Sequence, residues 1–132
     1  MPKTVLQTVR FGVSPETLFD IYMDSKKHAA AIAARATLSR KVGGKFTAHN
    51  GYITGRNLAI VPKRMIVQSW RGSDWRKAVL DSVLILTFTK APGGARLDLV
   101  HANLPDHVYR SIKKGWTTHY WNRWKAYLKR RS

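Results

Sequence analysis

The end of this chain carries a dense series of aromatic residues with the spacing of an α-helix. Trp116, Tyr120 and Trp124 follow one another at intervals of four residues, and Ile112 and Tyr127 extend the series on either side. This spacing puts all five side chains on one broad face of a helix, where burying each one is worth up to about 3 kcal/mol. So bulky an apolar face needs a wide concave surface to cover it. The series therefore predicts a long C-terminal helix gripped by a curved sheet.

The first quarter of the chain predicts one strand followed by two short helices. Residues 5–11 alternate between two faces, as expected of a strand. Ser14 suits the capping position of a helix and Pro15 suits its first turn, so the first helix begins there. Ser25 is predicted to cap a second, alanine-rich helix that runs from Lys26 to about Ala33.

The middle of the chain predicts a run of antiparallel strands joined by turns. The expected strands are residues 38–42, 45–49, 52–60, 65–71, 82–90 and 95–102. The turns are marked by a tight Gly43-Gly44 hairpin, by Asn50-Gly51 and by a hairpin over residues 91–94. Alternation gives the last two strands one apolar face each, with Leu84, Leu86 and Phe88 on one strand and Leu97, Leu99 and His101 on the other. Segregated helices packed on an antiparallel sheet predict an α+β domain.

The composition is strongly basic. The 132 residues fit a single domain over residues 1–132, and 24 Lys and Arg against seven Asp and Glu give a formal net charge of +17. Such a charge favours an anionic partner, whether an acidic protein, nucleic acid or anionic lipid. The absence of cysteine excludes disulfides, thiolate nucleophiles and cysteine zinc sites. With neither a signal peptide nor a membrane span in the sequence, we expect a soluble, cytoplasmic protein.

Several motifs together resemble one known family. They are Ser14-Pro15-Glu16 with Leu18-Phe19, the run from Leu38 to Phe46, Gly51-Tyr52-Ile53 with Gly55 and Asn57-Leu58, Pro62 with the run from Ile66 to Arg71, and Gly115-Trp116 with Tyr120-Trp121. The pattern is similar to the C-terminal domain of the activators of the heat-shock protein 90 ATPase. That family belongs to the START-like (SRPBCC) helix-grip superfamily, so the resemblance implies a curved antiparallel sheet around a long C-terminal helix. The superfamily includes lipid carriers, aromatic-ligand binders and cyclases, and the resemblance therefore implies a fold more strongly than a function.

The chain departs from the pattern of its relatives at two points. Relatives tend to have a glycine near the position of Ala33, and many of them are acidic or near neutral where this chain is basic. The second departure means that the identity of a partner is not carried over with the fold.

A cavity between sheet and helix is the first candidate site. His101 is its most interesting titratable group, since an imidazole near neutrality can act as acid, base or ligand anchor; the alternative is a buried, hydrogen-bonded core histidine. The aromatic residues can line a pocket or simply fill the core. The residues predicted to line the cavity are Trp70, Trp75, Leu86, Leu99, His101, Trp116 and Tyr120.

No motif in the sequence predicts catalysis. Glu16, Asp20 and Asp24 share one helix face, but they have no visible base, nucleophile or metal partner and are interpreted as structural. The five histidines show no metal-ligand spacing, and no nucleophile elbow, phosphate loop or dinucleotide fingerprint occurs. We therefore expect a protein that is not an enzyme and that needs no metal or cofactor.

The basic side of the terminal helix is the second candidate site. Trp121 falls between Arg110 and Lys114 on an ideal helix, where an exposed indole beside cations suits a protein contact; packing on the sheet edge is the alternative. A run of Lys and Arg can equally be just the solvated face of a helix. The residues predicted to bind a partner are Arg110, Lys114, Trp121, Lys125 and Lys129.

Three functions remain open from the sequence. By resemblance, the leading one is a co-chaperone-like domain that binds an acidic chaperone of the heat-shock protein 90 family and stimulates its ATPase. The second is a carrier or sensor of a small hydrophobic or aromatic ligand held between sheet and helix. Nucleic-acid binding rests on charge alone, because the aromatic motifs of RNA-binding modules are absent.

Overall fold

The computed structural model describes residues 1–131 and has the predicted α+β architecture. Its elements are β1 (Lys3–Phe11), α1 (Pro15–Met23), α2 (Ser25–Ile32), β2 (Thr37–Leu38), β3 (Lys45–Ala48), β4 (Ile53–Val61), β5 (Met65–Gly72), β6 (Ser82–Ala91), β7 (Gly94–Leu104), a 3₁₀ turn (Asp106–Val108), α3 (Tyr109–Gly115), a π-helical segment (Trp116–Trp121) and α4 (Asn122–Arg131). The last three elements run on without a break as one C-terminal helix over residues 109–131.

The strands form one antiparallel sheet of seven in the order β1-β7-β6-β5-β4-β3-β2. The first strand therefore pairs with the last, while the hairpins from β3 to β7 connect neighbours. The sheet curves around the C-terminal helix, in which α3 contacts β1; α1 contacts β6 and β7, and α2 contacts β2 and α4.

The inner face of the sheet carries the core in the predicted register. Leu84 pairs with His101, Leu86 with Leu99 and Phe88 with Leu97, and all six side chains are buried. Alternation along each strand forces these residues onto one face, so the prediction of both apolar faces is confirmed.

The helix starts are confirmed at α1 and corrected at α2. The Ser14 hydroxyl accepts a hydrogen bond from the Thr17 amide, and Pro15 occupies the first turn as expected. At α2 the capping residue is Asp24, not Ser25, because the Asp24 carboxylate accepts from the Lys27 amide. Ser25 instead bonds both backbone groups of Leu38 and ties α2 to β2.

The residue after α2 has the left-handed backbone that favours glycine. Ala33 has a φ of 56° and ends the helix. The resemblance led us to expect a glycine near this position, and a left-handed conformation is one that glycine adopts without steric cost. An alanine there holds the same geometry at some conformational cost.

The predicted strand 38–42 and its tight hairpin are wrong. Only Thr37 and Leu38 pair with β3, and residues 39–44 form a loop instead. Two hydrogen bonds from the Asn57 side chain to the carbonyls of Ser39 and Lys41 hold this loop against β4. Those carbonyls therefore bond a side chain from a distant strand, which a local pattern cannot predict.

Candidate binding groove

An open groove lies between the first half of the C-terminal helix and the strands β3 to β5. Its volume is about 320 Å³, and its walls are mostly apolar. The lining residues are His49, Tyr52, Ile53, Trp70, Ser111, Ile112, Gly115, Trp116, His119 and Tyr120. Three of them, Trp70, Trp116 and Tyr120, were predicted to line a cavity.

The three predicted aromatic residues form one continuous cluster beneath the groove. The ring centroid of Trp116 lies 6.4 Å from that of Trp70 and 4.6 Å from that of Tyr120. All three side chains are buried, so they present only part of each ring to the groove. A surface of packed aromatic rings suits contact with an apolar or planar group.

His101 does not border the groove, contrary to expectation. Its side chain is fully buried and lies between Trp116 and Ser82. The Trp116 indole N–H donates to Nδ1 at 3.0 Å, and since an indole N–H can only donate, Nδ1 carries no proton. His101 Nε2–H therefore donates to the Ser82 hydroxyl at 2.8 Å, which in turn donates to the Trp70 carbonyl.

This arrangement makes His101 a structural residue. The Ser82–His101 contact resembles a nucleophile and its base, but the imidazole nitrogen that faces Ser82 is a donor and cannot accept the hydroxyl proton. Burial lowers the pKa of His101 to about 3, so the ring stays neutral. The alternative of a hydrogen-bonded core histidine therefore describes this residue.

The other residues predicted to line the cavity lie in the closed core. Leu86 and Leu99 pair across β6 and β7 beneath the helix and are fully covered. Trp75 packs against Trp70 with 5.8 Å between ring centroids and is buried. Large side chains of the helix, among them Trp116, Tyr120 and Trp124, occupy the core above the sheet.

A second buried polar network fills the space between α1, α2 and the sheet. The Tyr22 hydroxyl donates to Gln68, whose amide donates to the Asn57 side chain. His28 Nδ1 donates to the Tyr22 carbonyl, which leaves Nε2 as the acceptor for the Tyr120 hydroxyl at 3.0 Å. Burial is the main cause that lowers the pKa of His28 to about 4, and burial also raises the pKa of both tyrosines.

His49 is a groove residue that the sequence analysis did not identify. It begins the turn His49-Asn50-Gly51, in which all three residues have positive φ angles of 50°, 59° and 90°. Its ring lies 5.3 Å from that of Tyr120 and 5.7 Å from that of His119. Partial burial, followed by the neighbouring charges of His119 and Arg123, lowers its pKa to about 4. The Asn50-Gly51 turn signal was recognisable, but its proximity to the helix was not.

Trp121 is buried, so its prediction as an exposed partner contact is wrong. Only 3% of its surface is accessible, its ring stacks on Trp116 at 5.5 Å, and its N–H donates to the Gln7 side chain at 2.8 Å. The cause is the π-helical segment, whose turn contains about one residue more than an α-turn. The wider turn brings Trp116, Tyr120 and Trp121 together onto the core side.

The predicted basic stripe extends across this segment. Arg110, Lys114, Lys125 and Lys129 are all exposed. Arg110 and Lys114 precede the π-helical segment, and Lys125 and Lys129 follow it. Lys125 lies over the Phe11 ring of β1, at 5.9 Å from its centroid.

Two of the three acidic residues in the first helix region, Asp20 and Asp24, have structural roles. Asp24 caps α2, and Asp20 forms ion pairs with Lys63 at 2.5 Å and Arg40 at 3.5 Å. Within residues 1–131, no group of three or more histidine, aspartate or glutamate side chains is placed to hold a metal ion. No helix in that range is long and apolar enough to cross a membrane.

One family model and several curated proteins match the sequence of this chain. The family model described as activator of Hsp90 ATPase homolog 1-like protein matches residues 12–129. The chain is 28% identical over 114 residues to the activator of 90 kDa heat shock protein ATPase homolog of Dictyostelium discoideum, and 29% identical over 110 residues to homolog 1 of Homo sapiens. These matches cover 86% and 83% of this chain but 30% and 32% of the relatives. The chain therefore spans about a third of the length of the curated relatives it matches.

Solved structures confirm the helix-grip fold. An HSP90 activator from Plasmodium falciparum has a TM-score of 0.86 at 26% identity, over 98% of this chain and 96% of that chain. A protein from Mesorhizobium loti has a TM-score of 0.85 at 20% identity, over 98% and 99% of the two chains. An Aha1 dimer from Colwellia psychrerythraea, solved in solution, has a TM-score of 0.76 at 10% identity, over 89% and 90%. The last two likenesses concern the fold alone.

Proposed function

Because the chain belongs to the family of activator of Hsp90 ATPase homolog 1-like proteins, we propose that it binds a heat-shock protein 90 type chaperone and stimulates the ATPase of that chaperone. The observation that carries the proposal is the likeness to the HSP90 activator from Plasmodium falciparum, which covers 98% of this chain and 96% of that one. That structure and this chain match over nearly their whole lengths, so the likeness supports the proposal across almost all of the sequence. A cytoplasmic location accompanies this proposal, in keeping with a chain that has no cysteine.

The proposed role is that of a binding domain without chemistry of its own. Ser82 and His101 are hydrogen bonded, but the His101 nitrogen that faces Ser82 carries a proton. It therefore cannot accept the hydroxyl proton, as activation of a serine nucleophile would require. A binding role instead requires an accessible surface of suitable charge. The C-terminal helix offers one, since residues 109–131 contain eight Lys or Arg and no Asp or Glu.

The exposed cations of that helix are the proposed contact with an acidic surface of the chaperone. Arg110 and Lys114 lie before the π-helical segment, and Lys125 and Lys129 lie after it; all four are exposed. Exposed charge of one sign raises the rate of association with an oppositely charged partner, by a factor of about 10 to 1,000 at low ionic strength. It contributes less to the strength of the final complex, because exposed ion pairs are worth about 0–1 kcal/mol each.

The filled interior favours this proposal over a small-molecule carrier. A carrier of the predicted kind needs an enclosed cavity between sheet and helix, where this chain has the hydrogen-bonded Trp116, His101 and Ser82 side chains. The groove of about 320 Å³ beside them is open to solvent. Nucleic-acid binding is supported by the net charge alone.

The test is stimulation of the ATPase of a purified cognate chaperone by the full chain. Replacing Arg110, Lys114 and Lys125 with Glu is expected to slow association at least tenfold at low salt, to remove stimulation, and to leave the circular dichroism spectrum unchanged. Raising the salt concentration should weaken binding of the unmodified protein, because exposed charges are screened beyond about 8 Å at physiological ionic strength.

A second triple variant with the same change in charge serves as the control. Lys41, Lys77 and Lys90 are exposed and lie on loops or a hairpin end, away from the terminal helix. Their replacement by Glu should preserve most of the stimulation. Equal losses in the two triple variants would mean that total charge, and not this helix, governs binding. No stimulation by the unmodified protein would refute the proposed function itself.

A further inference from the structure

Gly115 lies in the middle of the C-terminal helix without a packing reason for glycine. Its backbone is ordinary right-handed helix, with φ of −60° and ψ of −38°, which any residue adopts. A Cβ built on it would meet only the His119 ring, at an ordinary distance of 3.6 Å. Glycine inside a helix is less stable than alanine, so its presence here opposes the stability of the helix.

Because Gly115 has no side chain, the groove stays open beside this part of the helix. Gly115 forms part of the groove wall, between Ser111 and His119 on the same side of the helix. A larger residue at this position would project into the 320 Å³ space and narrow it. Glycine allows a close approach of another group to the helix backbone, which is one of its characteristic uses at binding sites.

The opposite wall of the groove also includes residues in a less stable backbone conformation. His49 and Asn50 hold left-handed conformations, which His and Asn adopt more readily than most residues with a Cβ but still at some conformational cost, and this turn places the His49 ring against Tyr120 and His119. Left-handed residues of this kind are concentrated at ligand clamps and active sites. Both walls therefore depart from the most stable local choice where they border the same space.

The groove has basic residues beside it. Arg110 and Lys114 are exposed and directly precede Ser111 and Gly115 in the helix, so cations stand on the outer side of the groove wall. Resting on the function proposed above, we propose that the groove receives one apolar side chain, aromatic or large aliphatic, that projects from an acidic surface of the chaperone. A single anchor in a pocket surrounded by weaker charged contacts is the common arrangement of binding energy at protein interfaces.

A graded series at position 115 separates this role from a structural one. Gly115→Ala should raise the thermal midpoint of unfolding and yet weaken chaperone binding slightly, because it improves the helix while narrowing the groove. Gly115→Leu should weaken binding at least tenfold with the fold retained. Thr117 provides the matched control, since it is exposed on the outward side of the same helix and does not line the groove. Thr117→Ala and Thr117→Leu should leave binding within about twofold, as expected of a change outside a hot spot.

Chaperone binding is measured by titrating the protein with a purified cognate chaperone. In a separate measurement, the tryptophan emission of the free protein is recorded with and without 2-naphthol, which serves as a small aromatic probe. If the unmodified protein binds and the Gly115→Leu variant binds equally well, the anchor groove is refuted while the proposed function stands. If Gly115→Leu abolishes only the response to 2-naphthol, the groove is a small-molecule site and the inference is likewise overturned. If the unmodified protein does not bind the chaperone, the proposed function fails first.

Discussion

Acidification from pH 7 to pH 5 should destabilise this protein through two buried histidines. His28 and His101 are fully buried, and their pKa values of about 4 and about 3 lie well below the 6.5 of an unfolded chain. Between these values the unfolded chain binds a proton at each site and the folded chain does not. Stability is therefore complete above about pH 6.5 and is lost as the pH falls towards the folded pKa values.

The size of the effect follows from the two pKa differences. Each histidine should reduce the free energy of unfolding by about 2 kcal/mol between pH 7 and pH 5, so the pair removes about 4 kcal/mol. Typical domains are stable by about 5–15 kcal/mol, so a loss of this size is a large part of the total. His49 should add less, because its ring is only partly buried and water screens its charge.

Titration of Asp20 contributes little to the change in the free energy of unfolding between pH 7 and pH 5. Burial of Asp20 works to raise its pKa, but the ion pairs with Lys63 and Arg40 outweigh burial and lower the pKa below 3.8. The stability that Asp20 contributes is present above that value and is lost only as the pH falls further. The slope between pH 7 and pH 5 therefore belongs mainly to the histidines.

Urea denaturation followed by tryptophan fluorescence at pH 7, 6, 5.5 and 5 measures this slope. Glutamine can replace either histidine with a similar pattern of one donor and one acceptor, as at His101 between Trp116 and Ser82. His28→Gln and His101→Gln should each reduce the slope near pH 5.5 by about 1 kcal/mol per pH unit, whatever their effect on stability at pH 7. A double variant with the slope of the unmodified protein would refute the argument that these rings are neutral in the fold.

Two further predictions concern packing. Gly55→Ala should destabilise the protein by about 3 kcal/mol or more in thermal denaturation, because the new Cβ would lie 1.8 Å from the Ser69 carbonyl oxygen. Gly12→Ala is the control and should have little effect, because its Cβ would have nothing within 4 Å. Similar unfolding midpoints for the two variants would contradict this prediction. Trp116→Phe should reduce the free energy of unfolding by about 1–3 kcal/mol, since it leaves His101 Nδ1 buried without a donor, and an unchanged urea midpoint would argue against that hydrogen bond.

The sequence by itself determined the parts of the fold that depend on local periodicity. Alternation placed Leu84, Leu86 and Phe88 on the inner face of β6, and the capping pattern placed the start of α1 at Ser14. The four-residue spacing of Trp116, Tyr120 and Trp124 was enough to predict the buried face of a long helix. These features follow from a period of 2 or 3.6 residues and need no knowledge of distant parts of the chain.

Tertiary structure alone decided which of these residues meet and which remain accessible. Trp121 turns into the core because one wide π-helical turn shifts the helix phase, and an ideal period cannot contain that shift. His101 is closed off because Trp116 and Ser82 reach it from other elements, and His49 borders the groove because the turn after β3 folds back against the helix. Each of these outcomes depends on contacts between residues far apart in sequence, whose geometry is fixed only when the sheet closes around the helix.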